Sequence, residues 1–260
     1  MLIISRRQIE ALARPSMERF EQRLIRRLRD TRARDCHFIG DDAAMLRAVR
    51  RIIALAQANG YRTARELTLY ATLVFDLGIG FDTDPQLDWA GSGLSSEAID
   101  DPTERIVAVH DETVAYLCEV WGANAKHRTA ALQRVQQYDF ATAPETEGEY
   151  LLEDLCDVLE SFWPEKLAFQ ETTPTLEMIS VAIDKAAGRG IVDPAGRCMV
   201  STLCVIFGHD FEVDPLHPWA AVVLADPAIG DGPARSHALH RAALDRIANE
   251  LTHDDGGQRE

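Results

Sequence analysis

The sequence has few cysteines and no long apolar run. Its five cysteines, at positions 36, 118, 156, 198 and 204, are scattered and form no CxxC pair. This pattern predicts neither a disulfide framework nor a structural zinc site, and it favours reduced thiols. The apolar run at the start of the sequence is shorter than that of a secretion signal. No stretch of the sequence has close to the roughly 18 consecutive apolar residues that a membrane-spanning helix needs. We therefore expect a cytoplasmic protein without membrane insertion.

Positive charge is also scarce, with 27 Lys and Arg against 42 Asp and Glu among 260 residues and a net charge of −15. Nucleic-acid binding needs an excess of cations, so we expect no nucleic-acid partner, and the acidic body favours a basic region of a protein partner. Arginine is nevertheless abundant in residues 1–51. Within the predicted first helix, Arg23, Arg26 and Arg27 are candidates for contact with an acidic partner surface. Docking of this helix on the acidic remainder of its own chain is the alternative.

Catalytic and cofactor-binding motifs are missing from the sequence. Residues 90–93 (AGSG) lack the spacing of a nucleophile elbow, and there is no phosphate loop, dinucleotide fingerprint or HExxH motif. We predict no catalytic residue, no cofactor, no metal site and no enzymatic activity. One alternative stays open, because His209, His217, His237 and His240 crowd the second half and the last two are spaced i, i+3, as metal ligands on a helix can be.

The sequence contains two similar copies of one unusual segment, which we call the repeated phrase. Residues 78–89 read GIGFDTDPQLDW, and residues 208–219 read GHDFEVDPLHPW. Aligning each residue with the one 130 positions later makes about 18 of roughly 65 pairs identical, which is typical of duplicated architecture. We predict two tandem helical units. They span residues 1–138 and 149–252, with a linker at 139–148 and a disordered tail at 253–260.

The repeated phrase has a metal-site interpretation and a structural one. Asp82 and Asp84 have the alternate spacing of calcium ligands, but the rest of an EF-hand loop is missing and the second copy does not keep the set. An aspartate followed by proline is instead a common helix start, and flanking aromatic residues can fix the entry angle of the chain. We therefore predict a structural corner. Its residues are Phe81, Asp84, Pro85 and Trp89 in the first copy, and Phe211, Asp214, Pro215 and Trp219 in the second.

Apolar positions recur with helical spacing and few segments alternate with period two, so we predict an all-α fold. A capping box at residues 5–8 predicts a first helix that runs to about Arg32, with a break at Pro15. A second capping box at residues 63–66 and the Asp193-Pro pair predict two further helix starts, each leading to a helix that ends at a glycine.

Three stretches together carry a resemblance: IIS at residues 3–5, LGIGFDTDP at 77–85 and WA at 89–90. They resemble a family of small helical bacterial proteins whose genes lie beside the spike and effector genes of type VI secretion systems. The resemblance covers residues 1–121 and thins in the second half, where Glu212 replaces the first aspartate of the motif. It implies an accessory role in holding or loading a toxic effector, and it supplies no catalytic residues.

We therefore expect a non-catalytic adaptor or chaperone that binds a secreted effector or a spike component. The duplication suggests two similar helical surfaces facing one partner. One alternative is a cytoplasmic immunity protein that neutralises a toxin by charge complementarity. The second alternative is a metal-dependent enzyme that uses the four histidines of the second half.

Overall fold

The computed structural model describes residues 6–170, 172–230 and 232–256, and these ranges contain helices and no β-strand. The predicted all-α class is therefore confirmed. The helices of the first half are α1 Arg6–Thr31, α2 Ala33–Ile39, α3 Asp42–Ala58, α4 Ala64–Leu77, α5 Asp88–Leu94, α6 Pro102–Val120 and α7 Lys126–Gln137. Those of the second half are α8 Glu149–Phe162, α9 Pro164–Phe169, α10 Thr172–Gly188, α11 Pro194–Phe207, α12 Pro218–Ala225 and α13 Pro233–Gly256.

Local sequence signals set the beginnings and ends of α4 and α11. The Thr63 hydroxyl accepts a hydrogen bond from the Glu66 amide, and the Glu66 carboxylate accepts one from the Thr63 amide (2.8 Å), which confirms the predicted capping box. Asp193 accepts a hydrogen bond from the third amide of α11 (2.8 Å), as its position before a proline predicts. The helices end at Gly78 and Gly208, whose φ angles are +96° and +91°.

The two ends of the chain differ in detail from the prediction. Helix α1 runs through Pro15 without the expected break, although a proline removes one hydrogen bond from the helix interior. The apolar side chains that follow, Phe20, Leu24 and Leu28, are buried and hold the helix on the core. At the other end, α13 continues to Gly256, into the segment predicted as a tail. Residues 257–260 lie outside the described residues. So does Ser5, the first residue of the capping box predicted at residues 5–8.

Corresponding helices occur in the two halves. Helices α3 and α10 have 17 residues each and begin at 42 and 172, while α4 and α11 have 14 each and begin at 64 and 194. Helix α3 packs on α4, and α10 packs on α11. These starts are separated by 130 positions, the offset at which the sequence aligns with itself. Descent of both halves from one unit stays a prediction.

Helix α11 lies at the centre of the protein. Every side chain from residue 198 to residue 207 is buried, which is typical of a helix that has protein on all sides. Helices α8, α10 and α13 pack against it. A short 3-10 turn at Phe140–Thr142, within the segment predicted as a linker, also contacts it and buries Phe140. Trp163 joins the halves further, because its indole donates a hydrogen bond to the Val120 carbonyl (3.1 Å).

Candidate functional site

The two repeated phrases contact each other at the centre of the molecule. Asp84 Oδ2 accepts a hydrogen bond from the backbone amide of His209 (3.0 Å). In the reverse direction, Asp214 Oδ2 accepts one from the backbone amide of Ile79 (2.8 Å). Each aspartate therefore binds the chain of the other half, and the two hydrogen bonds form a reciprocal pair. We call this contact the corner exchange.

The same aspartates also cap their own turns. The second oxygen of each carboxylate accepts a hydrogen bond from the amide two residues further along, at 2.9 Å for Asp84 and 2.8 Å for Asp214. Pro85 opens the short 3-10 turn Pro85–Leu87, and Pro215 holds the same place in the second phrase. Both carboxylates are almost fully buried. Their predicted capping contacts are therefore present, together with a contact between the halves that the sequence did not predict.

Glycine permits the close approach of the two corners. A Cβ atom at Gly78 would lie 3.0 Å from the carbonyl oxygen of Phe207, and one at Gly208 would lie 3.2 Å from that of Leu77. Both glycines also have positive φ angles, which other residues adopt at a cost of about 1–2 kcal/mol. The repeated glycine is thus required by backbone conformation and by the space between the halves.

The aromatic residues of the corner pack differently in the two copies. Phe211 stacks on Trp219, with ring centres 6.3 Å apart and planes inclined by 23°. In the first copy, Phe81 packs on Tyr70 with a centre distance of 5.2 Å. Trp89 packs on a different tyrosine, on α6, at 5.7 Å. The two aromatic residues of the corner thus contact each other in the second copy, while in the first each packs on a tyrosine.

The four histidines of the second half do not form one cluster. His209 is part of the corner exchange, and the His217 ring packs on Phe207 with a centre distance of 4.5 Å. His237 is exposed on α13, and His240 is half-buried against an aromatic ring. Within the described ranges, no three His, Cys, Asp or Glu side chains lie close enough together to hold a metal ion.

The buried cysteines are not activated. Burial raises the pKa of Cys36 to about 11 and that of Cys198 to about 12, and it also raises the pKa of Cys204. Since the thiolate is the nucleophilic form, these thiols stay protonated and unreactive near neutral pH.

A cavity of about 290 Å³ lies beside the corner exchange. The ends of α4 and α11 form one side of it, and α6, α7, α9 and α13 contribute the others. Thr31 and Ala33, at the junction of α1 and α2, also line it and are exposed, so the mouth lies at this junction. Aromatic side chains form much of the wall. They are Phe75, Tyr116, Trp121, Trp163 and Phe207.

Cationic side chains outnumber carboxylates around the cavity. Five cationic side chains and three carboxylates line it, in a protein whose net charge is −15. The cationic residues are Arg32, Arg34, Arg128, Lys166 and Arg246, and the acidic ones are Asp35, Asp76 and Asp84. The positive charge of this cavity is therefore opposite in sign to that of the whole molecule.

Lys166 is one of the buried cations of this cavity, with 7% of its surface exposed. Its ammonium donates a hydrogen bond to the Val205 carbonyl (2.6 Å) in the last turn of α11, and it lies 5.4 Å from the centre of the Trp163 ring. It forms no ion pair within the described part of the chain. The pKa of Lys166 is lowered to about 8, because burial and the charge of Arg128 together outweigh the opposing charge of Asp84.

A second buried group joins α7 to α13. Glu250 is 1% exposed, and its carboxylate accepts hydrogen bonds from Arg128 and from Arg246, the latter at 2.5 Å. The Arg246 guanidinium lies 3.5 Å from the centre of the Phe38 ring, and its Nε has no hydrogen-bond partner in the described ranges. Burial and the neighbouring Arg128 lower the pKa of Arg246 to about 9. At the mouth, Arg32 pairs with Asp76 (2.6 Å).

The outer face of α1 is a separate surface. Arg23, Arg26 and Arg27, the predicted partner contacts, are all exposed. Spacings of three and four residues place Arg26 and Arg27 beside Arg23 on the helix. Unlike Arg29, which pairs with Asp42 (2.5 Å), these three arginines have no ion pair in the described structure. We call them the arginine face.

Sequence reasoning identified the corner and the arginine face but missed the cavity. Its polar residues lie on separate helices and are joined only by the fold. One local signal was present, because Arg246 and Glu250 interrupt the face of α13 that carries the buried residues Leu239, Ala243 and Ile247. Charged residues on an apolar face indicate a buried polar group.

Comparison with protein-family models, with curated proteins and with solved structures finds no match to this chain. The described helices also include none that is both long and apolar enough to cross a membrane.

Proposed function

We propose that this chain is a non-catalytic accessory protein of the cytoplasm, an adaptor or chaperone that binds a secreted effector or a spike component of a type VI secretion system. The resemblance of its first half supports the biological setting. The arginine face supports the mode of binding, and it is the observation on which the proposal depends.

The arginine face has the properties of a contact surface for an acidic partner. One side of α1 is committed to the core through Phe20, Leu24 and Leu28, so the helix is held in place by packing. Arg23, Arg26 and Arg27 on the other side have no acidic neighbour within ion-pair distance in the described structure, although acidic residues predominate in the sequence. Charge complementarity of this kind accelerates association and selects the partner.

We further propose that the two halves are copies of one helical unit and form a single platform. The matched lengths of α3 with α10 and of α4 with α11 support this proposal, as does the corner exchange between equivalent residues. A rigid junction between the copies would hold two similar surfaces in a fixed relation to one partner.

Two observations support the non-catalytic part of the proposal. The thiols of Cys36, Cys198 and Cys204 are protonated near neutral pH, and a protonated thiol is a poor nucleophile. The histidines of the second half also belong to no group of three potential metal ligands in the described ranges, with His237 exposed and His217 packed on a phenylalanine.

The experiment is co-purification of the chain with the proteins encoded by the genes beside its own, among which we expect an effector or a spike component. We expect the triple variant Arg23→Glu, Arg26→Glu and Arg27→Glu to lose the partner. A matched control is Arg47→Glu, Arg65→Glu and Arg241→Glu, which makes the same change of charge at three exposed arginines on other helices. The control should retain the partner, and wild-type binding should weaken as salt rises through the physiological range.

Equal loss of the partner from both triple variants would show an effect of net charge and would contradict the arginine face. The adaptor role has its own test. If the effector is equally soluble and equally secreted when this chain is deleted, the adaptor proposal fails, and the immunity alternative is favoured.

A further inference from the structure

The central cavity offers a binding site that the proposed function does not use. It lies beside the corner exchange, on the inner side of the α1–α2 junction, whereas the arginine face points outward from α1. Its volume of about 290 Å³ is at the lower end of the range for small-molecule sites. An occupant would therefore be a small molecule and not a protein segment.

The polar groups of the cavity have donor capacity that the protein leaves unused. An ammonium carries three donors, and Lys166 uses one of them to cap α11 through the Val205 carbonyl (2.6 Å). Arg246 Nε, from a side chain that is 7% exposed, has no acceptor in the described ranges. The Nδ1 atom of His217, which also lines the cavity, has none either. Lys166 and Arg246 therefore provide donors without a matching set of acceptors, and Nδ1 of the neutral His217 ring is a further polar atom without a partner.

Structural roles account for only part of this arrangement. Lys166 uses one hydrogen bond to cap α11, and one nitrogen of Arg246 donates a hydrogen bond to the Glu250 carboxylate. Neither role explains why two largely buried cations line the same cavity. Their pKa values are lowered, to about 8 for Lys166 and about 9 for Arg246, by burial first and then by the neighbouring Arg128. A bound anion would offset this cost.

The walls indicate the rest of the ligand. Trp121 and Trp163 line the cavity together with Phe75 and Phe207, and Lys166 lies over the Trp163 ring. Flat aromatic walls favour a ring or another apolar group beside the anionic end. We propose that the cavity binds a small organic anion, with a phosphate or carboxylate group held by Lys166 and Arg246 and an aromatic portion packed against the tryptophans.

Phenyl phosphate is a suitable probe because it joins a phosphate to one aromatic ring, and inorganic phosphate is its comparison. We expect phenyl phosphate to raise the melting temperature of the full chain and to give a binding isotherm by calorimetry, since a ligand that binds the folded state stabilises it. Inorganic phosphate should bind at least about tenfold more weakly because it has no ring to pack. The absence of binding by phenyl phosphate, or equal binding of both probes, would overturn the proposal.

Two variants locate the binding. Lys166→Met should abolish it, but this change also removes the cap of α11. Ala33→Trp is therefore the decisive variant, because it fills the mouth and leaves every charged group in place. Its control is Ala64→Trp, since Ala33 and Ala64 are both exposed and both the first residue of a helix.

We expect Ala33→Trp to lose phenyl phosphate and Ala64→Trp to bind it as the wild type does. Unchanged binding by Ala33→Trp would place the anion elsewhere and refute the cavity. Co-purification of the protein partner should be unaffected by Ala33→Trp, so the fate of this proposal and that of the arginine face are measured separately.

Discussion

The corner exchange predicts an unusually large loss of stability when one aspartate is removed. In Asp214→Ala, two buried backbone amides lose their acceptor: that of Ile79 in the other half (2.8 Å) and that of Leu216 in the same turn (2.8 Å). Each unsatisfied buried donor costs about 1–3 kcal/mol, which gives about 2–6 kcal/mol. Burial raises the pKa of Asp214 to about 6, so the ionised carboxylate itself is costly. Removing the carboxylate also removes the cost of burying its charge, which offsets part of the lost stability. We therefore expect the free energy of unfolding to fall by about 2–4 kcal/mol.

The assay is urea unfolding followed by circular dichroism at neutral pH, with Asp41→Ala as the control. Asp41 caps α3 through one hydrogen bond to the Ala44 amide (2.8 Å) and is exposed, so its removal should cost about 1 kcal/mol. A cost for Asp214→Ala no larger than that for Asp41→Ala would refute the argument, because the contact with Ile79 would then contribute nothing.

A double variant tests whether the two aspartates act together. Asp84 and Asp214 hold the same junction from opposite sides, so the first removal should loosen the contact that the second one would break. We expect the cost of the double variant to fall short of the sum of the two single costs. Strict additivity would show that the two hydrogen bonds are independent.

Two further predictions concern single residues. Gly78→Ala should destabilise the protein by about 1–3 kcal/mol more than Gly60→Ala in urea unfolding, because both glycines have positive φ but only at Gly78 does a Cβ meet backbone (3.0 Å). Equal losses of stability in the two variants would mean that the backbone around Gly78 shifts to accommodate the added Cβ atom. Hydrogen bonds to the Glu66 carboxylate outweigh burial and lower its pKa from 4.5 to about 2. Its stabilisation is therefore present above pH 4.5 and is lost as the pH falls towards 2. The difference in unfolding free energy between wild type and Glu66→Gln should shrink as the pH falls from 4.5 towards 2. A difference that stays constant over this pH range would contradict the prediction.

The features that were predictable from sequence are those that depend on neighbouring residues. The box of Thr63 and Glu66 and the cap at Asp193 are complete within one helical turn, so their residue types suffice to place a helix start. The corner exchange joins Ile79 to Asp214, which lie far apart in the chain. The aspartate and proline of the phrase were thus enough to predict a cap, but the partner in the other half could come only from the fold.

The cavity was unpredictable for a related reason. Lys166 and Glu250 are charged residues in an acidic, charge-rich sequence, where a solvated position is the ordinary expectation. Their burial follows from the packing of α13 on α7 and α11 and of α9 on α6 and α8, and no local pattern encodes that arrangement. Proline at position 15 shows the converse case, since its local signal predicted a break that tertiary packing of α1 overrides.

The two aspartates of the corner exchange accept equivalent hydrogen bonds, but their pKa values are shifted in opposite directions. Burial raises the pKa of Asp214 to about 6, and the hydrogen bond from the Ile79 amide and the charge of Arg51 offset only part of this effect. Burial opposes ionisation of Asp84 as well, but the side chain of His209, 3.5 Å away, and the charge of Lys166 outweigh it and lower the pKa. The position 130 residues before Lys166 is Cys36, so the aligned sequence has no equivalent cation. Common descent of the halves would explain the shared backbone contact, but it does not explain the buried Lys166 beside Asp84. Lys166 therefore calls for a separate explanation, and the anionic ligand that we propose for the adjoining cavity is one.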